Sequence, residues 1–175
     1  MAENYSPREE KEWGNLINEF RSKSDRSVGI LGTVYLDTYL KQLLKGFFVD
    51  DSEAAAALLG EEFPLGSFSA RIKITYCLGL ISADEYHDLK LILKIRNAFS
   101  SNVGIRSFAS DTIRESCYLF KTAKNMLLPG ETITPRRLFV FTCTILVQHL
   151  ALRAVEAANE HRTVPDEFFL VSSGR

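Results

Sequence analysis

The chain has 175 residues, of which 46% are hydrophobic and 25% are charged, and its formal net charge is −1. These values are typical of one globular domain with a sizeable core, and they exclude a disordered or fibrous chain. The near-neutral charge argues against a protein that coats DNA, which needs a basic surface to displace counterions, although a local basic patch is still allowed.

Four helices are predicted in the first half of the chain, and three of them have a recognisable start or stop. Ser6 and Pro7 suit the first turn of a helix, Ser52 is a candidate N-cap, Gly60 a candidate stop, and Ser67 a further N-cap. The second helix is apolar around most of its circumference and is therefore expected to be central. The predicted helices cover residues 6–24, 25–48, 52–60 and 67–79.

Three further helices are predicted in the second half. Ser82 and Glu85 form a capping box that starts a helix ending in "KIRNAFSSN", at residues 94–102. A helix from about 111 to 126 follows. The last helix is capped by Thr134, has Pro135 at its first position and ends near residue 160.

These elements predict an all-α protein, a single-domain helical bundle of about six or seven helices. Short connectors favour antiparallel packing of neighbouring helices. We expect one domain over residues 1–160 and a C-terminal tail over 161–175, whose "EFFLV" must dock or find a partner.

The polar N-terminus is not a signal peptide. The run "RLFVFTCTILVQHLALRAV" is interrupted by polar residues and falls short of the roughly 20 apolar residues of a membrane span, so it is interpreted as a core helix. A cytoplasmic protein without a membrane segment is therefore expected.

Metal and cofactor sites are not predicted. The three cysteines are widely spaced without a CxxC pair, which favours small buried hydrophobes over a zinc site or disulfides. His87 is expected on a solvated surface, and His149 is expected to form a hydrogen bond within the core helix. Phosphate-binding and hydrolase motifs are absent, and Gly29 and Gly32 are better explained by close helix packing.

Arg96 and Asn97 pose the main question, because Arg96 follows Leu89 by seven residues and so shares its helical stripe. One interpretation is a buried ion pair across the bundle, for which Asp37 is the candidate acid, since it too lies in an apolar stretch. The other is that Arg96 lines a cleft or a dimer interface and binds a phosphate. Spacing alone favours the ion pair.

The stretch "PLGSFSARIKITYCLGLISADEYHDLKLILKIRNAFSSN", residues 64–102, resembles the mannitol operon repressor family, the MtlR/MltR-like proteins of bacteria. A weaker likeness extends over about 28–120. The resemblance implies an all-helical fold and a role in repressing sugar-alcohol uptake genes. The residues show no helix-turn-helix with a basic recognition helix, which favours regulation through another protein over direct DNA binding.

A second resemblance overlaps the first. "RNAFSS" is similar to the R-N-x-F-x-H motif of HEPN domains, helical and often dimeric proteins, many of which are metal-independent ribonucleases or toxins. Arg96, Asn97 and Phe99 match, whereas Ser101 stands where the histidine would be. A serine cannot replace the imidazole as acid and base near neutral pH, so binding by Arg96, Asn97 and Asp37 is expected more than catalysis by Arg96, Asn97 and Ser101.

We therefore predict a non-enzymatic regulator that acts through protein contacts and forms a homodimer, motivated by the "EFFLV" tail and the broadly apolar helices. A HEPN-type ribonuclease or toxin component is the first alternative. A repressor that binds DNA directly is the second.

Overall fold

The computed structural model describes residues 18–21, 23–101, 104, 107–124, 133–160 and 162–165. Seven complete helices lie in these ranges, preceded by a helical stretch at 18–21. They are α1 (Asp25–Phe47), α2 (Ser52–Leu59), α3 (Phe68–Cys77), α4 (Ala83–Ser101), α5 (Asp111–Tyr118), α6 (Lys121–Lys124) and α7 (Pro135–Asn159). The described residues contain no strand, only an isolated parallel bridge between Val49 and Arg162. The prediction of an all-α bundle is confirmed.

The two long helices α1 and α7 form the centre of the bundle and share its most extensive contact. Glycines allow their close approach: a Cβ on Gly32 would lie 3.0 Å from both Cys143 Sγ and a Phe139 ring carbon. Gly29 serves the same purpose against α4, where a Cβ would lie 2.4 Å from the Phe99 ring. The predicted packing role of both glycines is confirmed.

Aromatic side chains fill the core beside this contact. Phe108 packs edge-on against Phe99 with 5.2 Å between ring centroids, and against Phe139 at 5.0 Å. Phe20, from the helical stretch before α1, is also fully buried. The part of the predicted first helix before residue 18, including the start at Ser6 and Pro7, lies outside the described residues.

Most predicted helix starts are confirmed in atomic detail. Ser67 Oγ accepts from Ala70 N at 3.1 Å, and Thr134 Oγ1 accepts from Arg137 N at 3.3 Å. The start of α2 was predicted wrongly by one residue, because its cap is Asp51 rather than Ser52. The Asp51 carboxylate accepts from Glu53 N and Ala54 N at 3.0 and 2.9 Å.

The predicted helix over 111–126 is wrong as a single element. The chain breaks at Leu119 and Phe120, and a separate short helix, α6, begins at Lys121. The cause is the buried carboxylate of Asp88 on α4, which accepts hydrogen bonds from the backbone N–H groups of Lys121 and Thr122. Those groups act as a helix N-terminus capped from outside rather than as the continuation of α5.

Helix α7 is long and apolar enough to cross a membrane by length and composition, with a mean hydropathy of 1.7. Half of that apolar stretch is buried inside the bundle, where the core helix of a globular protein lies. The burial supports the interpretation of "RLFVFTCTILVQHLALRAV" as a core helix.

Candidate functional site

Arg96 lies near the C-terminal end of α4 and is exposed, so its predicted place on the buried side is wrong. Ile95 and Phe99 occupy the core-facing positions in these last turns and leave Arg96 at the border of the buried side. Its Nη1 donates to Asn97 Oδ1 at 3.1 Å, and Ser101 Oγ donates to the Asn97 carbonyl at 2.7 Å. The three residues therefore come together on one solvent-facing helix end.

A second cation lies beside this end of α4. Arg26, near the start of α1, directs Nη2 at the Ser100 carbonyl oxygen, 3.5 Å away. Arg26 and Arg96 both place positive charge near the C-terminal end of α4, where cations are favoured by the helix dipole. Whether Arg96 and Asn97 bind a phosphate stays a prediction.

Asp37 does not pair with Arg96, as the sequence interpretation supposed; its partner is Arg71 on α3. Arg71 Nη1 contacts both carboxylate oxygens of Asp37, at 2.6 and 2.7 Å, and Nη2 donates to the Leu59 carbonyl at 3.1 Å. The Arg71 side chain is only 4% exposed. This ion pair ties α1, α2 and α3 together, so Asp37 has a structural role and lies apart from the Arg96 group.

A second polar cluster centres on Glu85, which is buried at the start of α4. Its Oε2 accepts from Ser82 N at 2.7 Å while Ser82 Oγ accepts from Glu85 N at 3.2 Å, which confirms the predicted capping box. Both carboxylate oxygens also accept from Arg153 Nη1, and Oε1 lies 3.0 Å from His149 Nδ1. His149 therefore forms a hydrogen bond, as predicted, but its partner lies on α4 rather than within α7.

The electrostatics of Glu85 follow from these contacts. Burial acting alone would raise its pKa, but hydrogen bonds from Arg153, from the Ser82 backbone and from His149, together with the positive charge of Arg153, lower the pKa overall. The carboxylate is therefore held ionised as an acceptor. A carboxylate already bonded to three donor groups serves to hold two helices together and has little capacity left for acid–base chemistry.

Asp88 is the most deeply buried carboxylate of α4. Besides the two backbone groups of α6, it contacts His87 Nδ1 at 3.0 Å, so His87 is partly covered and paired rather than simply solvated. Among the described residues, no group of three or more histidine, cysteine, aspartate or glutamate side chains is arranged to hold a metal ion.

The feature of the α3–α4 surface most suited to recognition is a pair of stacked tyrosines. Tyr76 and Tyr86 lie with ring centroids 4.2 Å apart and an interplanar angle of 9°, and Lys90 Nζ sits 4.3 Å from the Tyr86 centroid. Tyr76 is 40% exposed and Leu78 next to it 37%. We call these four residues, Tyr76, Leu78, Tyr86 and Lys90, the tyrosine face.

Sequence reasoning missed the tyrosine face. Nothing in the local sequence pattern pairs Tyr76 with a residue of the next helix. The available signal was the "EYHDL" start of α4, which puts an aromatic residue one turn before Lys90 on a largely polar helix.

A sequence profile described as "Mannitol repressor" matches residues 22–137, about two thirds of the chain. The chain belongs to the mannitol repressor family. The match confirms the family resemblance predicted from residues 64–102. The matched region contains the tyrosine face, the Asp37–Arg71 pair and the Arg96 group. The HEPN resemblance stays a prediction.

Individual relatives agree with this assignment. The mannitol operon repressor of Escherichia coli K12 is 35% identical over 60 residues, which are 34% of this chain and 31% of that protein. The similarity thus spans about a third of the curated relative.

Two solved structures share the fold. One is the MtlR–HPr complex from Escherichia coli, with a TM-score of 0.67, 21% identity, and coverage of 79% of this chain and 98% of the matched chain. The other is a possible transcriptional regulator, YggD, from Shigella flexneri, with a TM-score of 0.59, 15% identity, and coverage of 90% and 99%.

Proposed function

We propose that this member of the mannitol repressor family regulates transcription by binding another protein, without catalysing a reaction. Two findings support the proposal: the family assignment, and the likeness of the fold to a chain solved in an MtlR–HPr complex. An HPr-type protein is therefore the partner that we expect. We place this interaction in the cytoplasm, where a transcriptional regulator meets its targets.

The tyrosine face is the observation that carries the proposal. Tyrosine is enriched at protein interfaces because its ring supplies large contact area with little side-chain entropy to lose, while its hydroxyl can form a hydrogen bond. The stacking of Tyr76 on Tyr86 already restricts both rings before a partner arrives. A preorganised aromatic pair with a neighbouring cation has the properties of an interface hot spot.

The test is calorimetric titration of the full chain with purified HPr, using variants of the face. We expect Tyr76→Ala to weaken binding by about 30-fold, because a hot-spot tyrosine contributes about 2 kcal/mol or more. Tyr118→Ala is the matched control: Tyr118 is similarly exposed, at 46%, but lies on α5 outside the tyrosine face. Equal affinity of both variants and the unsubstituted chain would refute the role of this face.

We further propose that the protein forms a homodimer. Ile30 and Val34 lie one turn apart on α1 and are 37% and 55% exposed, so the central helix leaves an apolar strip uncovered. Sedimentation velocity should give twice the monomer mass at micromolar concentration, and Val34→Glu should shift the protein to monomer. A wild-type monomer at high concentration would overturn this proposal.

A metal-independent ribonuclease is the second candidate function, favoured by one observation: Arg96, Asn97 and Ser101 come together at an exposed helix end. The test is cleavage of labelled RNA in EDTA by the wild type, Arg96→Ala and Ser101→His. Cleavage by the wild type that disappears in Arg96→Ala would replace our first choice. Cleavage gained only in Ser101→His would indicate a HEPN-like scaffold without its chemistry. Direct operator binding, the other alternative, predicts specific DNA affinity that falls steeply with salt.

A further inference from the structure

An apolar groove lies at the end of the bundle where α1 meets α2. It has a volume of about 300 Å³ and its walls come from both helices and their connection. The lining residues are Phe47, Phe48, Val49, Asp51, Ala54, Ala55, Leu58 and Arg162.

The two charged groups at the groove both already have partners. The Asp51 carboxylate caps α2 through Glu53 N and Ala54 N. The Arg162 guanidinium lies over the Phe47 ring, 4.6 Å from its centroid. The groove therefore presents an apolar surface, and Leu58 on its α2 wall is still 40% exposed. Such a surface is suited to apolar side chains, whose burial is favourable in proportion to area.

The chain itself returns to this groove after α7. Arg162 forms a parallel bridge with Val49, and both residues line the groove. Because the bridge is parallel, residues after Arg162 leave it in the same direction as the residues after Val49, which lead into α2. Pro165 favours an extended conformation at Val164, which keeps the chain on that course.

We propose that the C-terminal segment Phe168–Val171, "FFLV", docks in this groove of its own chain. Phe168 follows the bridge at Arg162 by six residues, which extended chain spans over about 20 Å. The eight-residue helix α2 is only about 12 Å long, so the segment reaches the whole α2 wall. The tether also gives the segment a millimolar effective concentration at the groove, which favours it over a free partner of equal affinity.

The experiment compares hydrogen exchange of the α2 amides, residues 54–59, in the full-length wild type and in Phe168→Ser/Phe169→Ser. Burial of even one phenylalanine shifts an equilibrium more than about tenfold, so we expect exchange in α2 to accelerate at least about tenfold in the variant. The matched control is Ser172→Gly/Ser173→Gly, which alters the same tail without removing an apolar side chain and should exchange like the wild type. Equal exchange in all three proteins would overturn the proposal.

A second measurement identifies the occupant. A labelled peptide of residues 163–175 should bind the Phe168→Ser/Phe169→Ser protein and not the wild type, whose groove is filled, and Leu58→Glu added to the variant should abolish this binding. Protection of α2 in the wild type should also be independent of protein concentration. Peptide binding to none of the proteins, or protection that rises with concentration as for a segment supplied by a second copy, would contradict the proposal.

Discussion

Replacing Asp88 with alanine should be among the most destabilising single changes in this protein. The side chain is fully buried, and its carboxylate accepts from Lys121 N at 2.9 and 3.1 Å and from Thr122 N at 2.8 Å. Alanine leaves these two backbone donors without an acceptor in a site closed to water. Each buried unsatisfied donor costs about 1–3 kcal/mol, so we expect unfolding free energy to fall by about 2–4 kcal/mol.

The chain supplies a matched control one turn earlier on the same helix. Asp84 pairs with Lys121 Nζ at 2.9 Å, but both side chains are about half exposed, at 48% and 50%. Exposed pairs of this kind contribute little to stability, so Asp84→Ala should leave the urea midpoint close to that of the wild type. Asp88→Asn, which keeps one acceptor oxygen, should have a stability between those of the two alanine variants.

The assay is urea unfolding followed by the helical circular dichroism signal, with stability compared at a constant slope against urea concentration. The reasoning would be refuted if Asp88→Ala lost no more stability than Asp84→Ala. That result would mean that α6 holds its position without the cap, and that the break after α5 has another cause.

Three further changes test other parts of the fold. Gly29→Ala should lower stability by about 1–3 kcal/mol in thermal unfolding despite its better helix propensity, because the new Cβ would lie 2.4 Å from the Phe99 ring; unchanged stability would show that the ring can move aside. Asp37→Ala should lower the unfolding free energy measured in urea by about 2–4 kcal/mol, because it leaves the guanidinium of Arg71, which is 4% exposed, without its acid. A loss below about 0.5 kcal/mol would contradict the role given to this pair. The folded pKa of Glu85 lies below its ordinary 4.5, so its contribution to the unfolding free energy is fully present above about pH 4.5 and is lost as the pH falls through the lower folded value. Glu85→Gln should therefore flatten the acid side of a plot of stability against pH. A plot parallel to that of the wild type would argue against the shift.

Local sequence signals predicted the helices well because each rests on atoms only a few residues apart. The capping box of Ser82 and Glu85 and the Thr134 cap with Pro135 are set by short-range hydrogen bonds and by proline geometry. The one misplaced cap, Asp51 rather than Ser52, is a choice between adjacent residues that both have the required side-chain oxygen.

Contacts between residues far apart in the chain could not be predicted from local sequence signals. The break after α5 depends on Asp88, which lies 33 residues earlier in the chain than Lys121. Asp37 was expected to pair with Arg96, and the packing of α3 against α1 gives it Arg71 as its partner instead. Helical periodicity gives the angular position of a side chain, but it does not tell how far the covering helices extend, which is why Arg96 is exposed.

The tyrosine face, the candidate interface, could not be predicted from local sequence patterns either. The family resemblance was recognisable from residues 64–102, and the profile match over 22–137 confirms it. The stacking of Tyr76 on Tyr86 depends on how two successive helices are arranged in space, and no spacing along the chain encodes it. The assignment of residues 1–160 to one domain and 161–175 to a tail stays a prediction, as does the role of Arg96 and Asn97 in binding.

Titration of the unsubstituted full-length chain with purified HPr from the same organism is the most direct test of a regulator that works through protein contacts. The proposal predicts saturable heat with a single class of site and a dissociation constant in or below the micromolar range. A micromolar constant corresponds to a binding free energy of about −8 kcal/mol. An absence of binding at about 100 µM of both proteins, combined with specific binding to operator DNA or cleavage of RNA, would contradict it.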